Sequence, residues 1–386
     1  MKKLGKLSLS HELENLRYCK KCCQLLTRPK LYVENDVCGG CLWEEEKERI
    51  DWGQRSFDVR VIASEARRKA RWRKTYDCAI GVSGGKDSTF QALYAKEMLG
   101  LNCLLVSAFP DEITEIGKKN FDNLVNQGFD CIRIYVNPQL LKQLMRRDFF
   151  EYLHFRKATE YPLWASVYTV AKEKNIPLII QGENAALTLG VSEDMNTDWD
   201  ASTVYKTNTI AGATAIEHYP EVPREQLKLY TFPDMSDWDG KAIWLNYFVK
   251  EWSQWDNAQF AIKRGLEVRT DTMENLGRIH PWTCLDSDFH MVSQYHKFCK
   301  LGFGFATDEC AYNIRENRMT REEGFDLIDK YDGKCADKYI DRFCEFVGIT
   351  REEHDVTVDK FANRDLMIKV GNRWELKPDL KKLRYS

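Results

Sequence analysis

The sequence lacks any uninterrupted apolar stretch near the roughly 20 residues that a membrane-spanning helix requires. Its start, MKKLGKLSLSHELENL, also lacks the apolar centre of a secretory signal. Together these absences give the expectation of a cytoplasmic chain with no membrane partner. Net charge is small as well: 57 Lys and Arg against 59 Asp and Glu leave −2, with a pI near 6.4. There is no global basic field to hold a phosphate backbone, so nucleic acid loses ground as a partner, although a local patch survives such a balance. Without an export signal, the 13 cysteines are expected to be reduced, with some gathered on a metal. A chain of 386 residues suffices for an α/β core plus one or two smaller parts.

The metal expectation falls on YCKKCCQLLTRPKLYVENDVCGGC. Cys19 and Cys22 form one CxxC pair and Cys38 and Cys41 a second, fifteen residues further on. Two short thiolate pairs brought together by a small loop suit a closed tetrahedral zinc site, which stabilises a fold and leaves no open position for substrate. Four thiolates also suit an iron–sulfur cluster, so the metal stays open at this point. Cys23 reads as a packing residue beside the pair. The charged segment 42–74 reads as one or two helices. Its Arg67, Arg68, Lys69, Arg71, Arg73 and Lys74 form either a solvated face or a guide for an anionic substrate.

Tyr76 to Gly100 supplies the central unit. An apolar run, Cys78 to Val82, breaks at Ser83-Gly84-Gly85 and resumes with helical spacing at Phe90, Leu93, Tyr94 and Leu99. Such a strand, turn and helix aims helix-terminal N–H groups at an anion. The glycines admit phosphate close to the backbone, Ser83 and Ser88 add hydroxyls, and Lys86 answers charge on phosphate oxygens. It is not a Walker A loop, because Ile80 and Asp87 stand where that motif needs Gly and Ser or Thr. Strands at 102–109, 130–136 and 177–181 alternate with helices at 115–127, 140–154 and 163–174. This pattern predicts an α/β doubly wound parallel sheet covered on both faces. Ligands of such sheets bind at the carboxyl ends of strands. That brings in the backbone around Ala108 and Phe109, Gly182, Glu183 and Asn184 after the last strand, and Asp87, Asp111 and Glu183, each either a contact to Mg2+ or water or a helix cap or solvent-facing acid.

SGGKDS resembles the signature of the PP-loop ATPases, which hold the pyrophosphate of ATP on this turn and adenylate a carbonyl-type oxygen. On that resemblance Ser83, Gly84, Gly85, Lys86, Asp87 and Ser88 bind Mg-ATP in an adenine nucleotide alpha hydrolase-like domain. The ordered series YCxxC, CxxC, SGGKDS, TxxGxxN and GEN is similar to that of the N-acetyl sugar amidotransferase family. So is the later series in which a GR–C–LD segment precedes LGFG, an Ile-Arg pair and TREE. The likeness spans roughly residues 18–335. That family acts in bacterial lipopolysaccharide, O-antigen and nonulosonic-acid pathways and turns an acetamido group into an acetamidino group. The resemblance implies release of AMP and pyrophosphate, and ammonia delivered by a separate class I glutaminase subunit, since no glutaminase signature lies in the chain. The acceptor is an acetamido sugar or sugar nucleotide.

Lys86, Asp87, Glu183, Lys297 and Arg278 are the expected catalytic group, with Arg278, Lys297 and Arg315 as cationic donors to a diphosphate or the transferring centre. Residues 1–60 are expected as knuckle and connecting helix, 61–215 as the ATP pyrophosphatase domain, and 216–386 as a mainly helical substrate and partner region. Within the last, Lys241 to Asp256 reads as an aromatic-faced helix, and Thr320 with Glu323 as a capping box. His280, Cys284, His290 and His296 read as loop and helix polar residues before a second zinc site. The rival enzyme reading is a PP-loop tRNA thiolation enzyme, kept open by Cys103, Cys131 and Cys284.

Overall fold

The structure is a computed structural model that describes residues 16–109, 112–191, 197–202, 204 and 213–385. Asp111 and part of the SEDMNTDWDAS stretch lie outside the described residues. A small hairpin, β1 (Val33–Glu34) and β2 (Val37–Cys38), leads into α1 (Gly39–Lys47) and the long α2 (Trp52–Arg73). The alternating unit follows as β3 (Cys78–Gly81), α3 (Lys86–Leu93), β4 (Cys103–Phe109), α4 (Glu115–Asn126), β5 (Asp130–Tyr135), α5 (Pro138–Tyr152), α6 (Lys157–Glu173) and β6 (Leu178–Gln181). Thr114 caps α4 by accepting from the Gly117 N–H. A Cβ on Gly117 would stand 2.7 Å from the Asp286 backbone, so glycine there permits the C-terminal half to approach.

The strands form one parallel sheet in the order β5-β4-β3-β6, completed by β7 (Lys241–Trp244) beyond β6. This corrects the expected helix at 241–256. Ala242, Ile243 and Trp244 are buried in the sheet, and helix begins only at Gln254, after the Ser253 cap. The apolar spacing of KAIWLNYFVKEW fits either period, and pairing with β6 decides it. The parallel sheet therefore extends past residue 215, so the expected boundary there cuts through the sheet domain.

Successive side chains face opposite layers. Cys78 and Ile80 meet α2, α3 and α4 on one face, while Ala79 meets α6 on the other. The chain then adds α7 (Gln254–Ile262), α8 (Phe289–Leu301), α9 (Phe305–Arg315), α10 (Arg321–Tyr331), α11 (Asp337–Val347) and α12 (Arg351–Phe361). It ends with the hairpin β8 (Met367–Val370) and β9 (Arg373–Leu376) before a last helical turn. Thr320 and Glu323 do form a capping box, at the start of α10. Helices α8 to α12 share a single core with the cysteine knuckle and α5. Phe155 and Phe343 stack within it at 4.3 Å, and each such ring contributes about 2–3 kcal/mol by leaving water. Among the described residues no helix is long and apolar enough to cross a membrane.

Candidate functional site

Strand order reverses between β3 and β6, the switch point whose crevice at the carboxyl ends of the strands takes the ligands of open α/β sheets. The Ser83-Gly84-Gly85 turn leaves β3 at this point, and Gly182-Glu183-Asn184 leaves β6. Gly84 has φ +82°, and a Cβ on it would come within 2.7 Å of the Phe121 backbone, so only glycine fits. Gly85 caps α3, whose first-turn N–H groups open toward the crevice, and the Ser88 hydroxyl donates to the Gly85 carbonyl at 3.1 Å.

Lys86 is buried, and its ammonium bonds Asp87 at 2.5 Å. Burial alone would pull its pKa down, but the charges of Asp87, Glu183 and Cys284 outweigh this and hold it above the ordinary lysine value. The other Asp87 oxygen accepts from Asn257 on α7 at 2.9 Å. Burial, and then the Asp87 charge, raise the Glu183 carboxyl, while the Tyr312 hydroxyl donates to it at 3.2 Å. Two acids and one ammonium in a water-poor crevice are suited to proton handling beside an anion.

The structure brings Ser83 to Ser88 together with Gly182 and Glu183. Ala108 and Phe109 end the neighbouring strand, where the Phe109 ring packs on Phe121 and Tyr135. The Asn184 side chain accepts from the Ala186 N–H and caps a single turn, Ala185–Thr188. Arg278 is fully buried, donates to the Thr283 carbonyl and lies over the Phe305 ring. Lys297 bonds Asp308 at 2.6 Å, and Arg28 takes the other Asp308 oxygen. Arg278 thus braces its own 277–284 segment, while Lys297 ties α8 to α9. Arg315 is a correction: its guanidinium lies against the knuckle, 3.3 Å from the Cys38 sulfur. The basic cluster at 67–74 takes its reading as a solvated face, with Arg67, Arg68, Arg71 and Lys74 exposed. Lys69 and Arg73 bond Asp239 and Arg73 reaches the Asn175 carbonyl, just before β7 and β6 begin, so the cluster sits at the opposite edge of the sheet from the turn.

Asn257 and Tyr312 were not singled out by sequence reasoning, whereas His280 and Cys284 were read as loop polar residues before a second zinc site, with Cys284 also kept for the thiolation reading. Cys284 has φ +53° and helps raise Lys86, while burial, with Lys86 adding to it, lowers His280. The His280 ring stacks on Trp282 at 4.4 Å, and Trp255 stands edge-on to both. The signal available was the HPWTC string itself, with aromatic rings in an irregular segment after a glycine. His296 instead pairs with His354 at 3.0 Å, away from any second metal site.

At the knuckle, all four sulfurs of Cys19, Cys22, Cys38 and Cys41 lie within 4.8 Å of one another and are buried. The Cys19–Cys41 and Cys22–Cys38 separations are 3.8 and 3.7 Å. A tetrahedron with metal–sulfur bonds of about 2.3 Å has edges near 3.8 Å, so the donor set fits a structural ion such as zinc. The Cys38 N–H approaches Cys19 and the Gln24 N–H approaches Cys22, as thiolate ligands require. Cys23 stands apart, its thiol directed at the Thr307 carbonyl.

Taken together, the molecule is an α/β protein with a crevice at the switch point of its parallel sheet and a separate four-cysteine centre suited to a metal. Residues 277–381 match the family model of the C-terminal domain of the WbpG-like LPS biosynthesis proteins. Among curated proteins none matches the chain.

Proposed function

We propose that the chain is an ATP-dependent amidotransferase that converts an acetamido group of a bacterial surface-glycan sugar, or its nucleotide-linked form, into an acetamidino group. The observation that carries this reading is the Lys86–Asp87–Glu183 group at the switch point, roofed by the segment that begins the WbpG-like match. Ser83 to Ser88 hold pyrophosphate through backbone N–H groups, hydroxyls and Lys86, while Asp87 and Glu183 serve Mg2+ and the proton lost by the incoming ammonia. ATP supplies the activating group: the acetamido oxygen attacks the α phosphorus and takes the adenylyl group with loss of pyrophosphate. Ammonia then adds to the same carbon, and the oxygen departs with AMP. The side chains supply position and a dry environment. Trp255, His280 and Trp282 offer flat faces to a sugar ring, and Arg278 and Lys297 are the cations on that side. A partner glutaminase supplies ammonia in this reading.

Cys284 beside Lys86 favours a second reading, sulfur transfer to tRNA. Against it, Cys103 and Cys131 lie at or near the starts of their strands, away from the crevice. The test is incubation with ATP, ammonium and a panel of free, UDP-linked and CMP-linked acetamido sugars, read by mass spectrometry. AMP with a sugar lighter by about one dalton supports the proposal, since NH replaces oxygen in an otherwise unchanged adenylation chemistry. Absence of any such product, together with sulfur-dependent tRNA modification, would overturn it.

A further inference from the structure

Helix α9 touches both the crevice and the knuckle, and its polar side chains divide between them at helical spacing. Asp308, Tyr312 and Arg315 recur at i, i+4 and i+7, and Glu309 with Asn313 form the adjacent row. Glu309 accepts from the backbone N–H groups of Ile279 and His280 at 2.7 and 3.1 Å and from the Thr283 hydroxyl at 2.7 Å. Asn313 meets the His280 ring at 2.9 Å. One row therefore holds the roof of the crevice. In the other row Tyr312 holds Glu183, Asp308 takes Arg28 of the knuckle, and Arg315 reaches the sulfurs.

Arg315 joins the two sites most directly. One of its terminal nitrogens lies 3.3 Å from the Cys38 sulfur and 3.9 Å from Cys22, and the other donates at 2.9 Å to the Thr188 carbonyl. Thr188 ends the turn that follows Glu183 and Asn184. The knuckle sequence reserves the space: a Cβ on Gly40 would fall 2.5 Å from the guanidinium carbon, and one on Gly39 would fall 2.8 Å from the Gly190 backbone. Four thiolates around a divalent ion carry excess negative charge, and a planar cation donating N–H groups to sulfur offsets it while still gripping a carbonyl with its second arm.

We propose that Arg315 is a positioning residue through which the metal-loaded knuckle fixes α9, and with it Glu183 and the 277–284 roof. With the ion gone nothing holds the four sulfurs in one cluster against the guanidinium, and the helix that carries Tyr312, Glu309 and Asn313 loses one anchor. This rests on the proposed reaction only in treating the crevice as the active site. Metal release and amide exchange are read without turnover, so failure of the reaction and failure of this link are separable.

The test uses the zinc-loaded full chain. Zinc release to a chromophoric chelator is expected to be about tenfold faster in Arg315→Met, the loss of one charge-assisted hydrogen bond. Arg315→Lys, which keeps the charge, should stay within about threefold of the unaltered chain. Gly40→Ala, which leaves all four ligands in place, should resemble Arg315→Met. Hydrogen exchange on the unaltered chain, with and without zinc, supplies a measurement that needs no variant. Removal should deprotect residues 277–284 and 305–315 while Asp130–Tyr135 keeps its protection. An Arg315→Met variant that releases zinc at the normal rate, a lysine variant no better than methionine, or deprotection spread evenly through the sheet would each overturn the proposal.

Discussion

Lys86, Asp87 and Glu183 reach the crevice from turns at the ends of two paired strands, whereas His280, Cys284 and Tyr312 reach it from a loop and a helix with no strand behind them. In the first group the backbone ladder sets position, and each residue lies within a few places of a strand end. In the second, position depends on hydrogen bonds made by side chains: Glu309 to the roof, Tyr312 to Glu183, and Arg315 to the cysteines. The sheet can therefore present the Ser83–Ser88 turn alone, while the 277–284 side of the crevice needs the helical half and its knuckle to be assembled. Loss of a few polar contacts should damage the second group and leave the first.

The largest separation of the two regions is expected from Cys38→Ser. It removes one of the four sulfurs that fit a metal ion and the one nearest Arg315, so metal content should collapse and Tm fall by about 10 °C, measured by metal analysis and calorimetry. Lys86→Met should do the reverse. AMP formation is expected to fall by about 10²–10³-fold, with zinc content unchanged. If Lys86→Met also released the metal, the two regions would not be independent in that direction.

The difference also sets what was legible in the residues. The CxxC pairs announce a metal site because short-range spacing fixes ligand geometry, and SGGKDS announces an anion turn because strand, glycine and helix signals are consecutive. Thr114 and Thr320 were readable as caps for the same local reason. Lys241–Trp244 was misread because an edge strand and a buried helix share one apolar pattern, and only β6 distinguishes them. Asn257 and Tyr312 carry no local signal. Each matters because folding brings it to a carboxylate 170 or 129 residues away in sequence.

A smaller effect is expected from Gly84→Ala. The left-handed backbone and the 2.7 Å approach to Phe121 should cost about 1–3 kcal/mol, seen as a lower denaturation midpoint and weaker ATP retention, with the knuckle intact. The smallest concerns pH. Burial pushes His154 down to about 3 and holds His290 and His296 well below the ordinary histidine value. The folded chain therefore takes up these protons later than the unfolded chain. The stability they contribute is complete above the unfolded value of about 6.5 and is lost as pH falls toward 3. Thermal melts should show Tm falling below pH 6.5 through this window. A Tm that stayed constant between pH 6.5 and 4 would contradict the buried neutral histidines of the helical half.

The central claim is that the crevice transfers an adenylyl group to an acetamido oxygen, and the path of that oxygen tests it most directly. An acceptor sugar carrying ¹⁸O in its acetamido group should yield AMP that contains the label, because the oxygen that attacks phosphorus leaves with it, and Lys86→Met should abolish the labelled product. Amidated sugar formed together with unlabelled AMP, or ATP cleaved only to ADP and phosphate, would contradict the account.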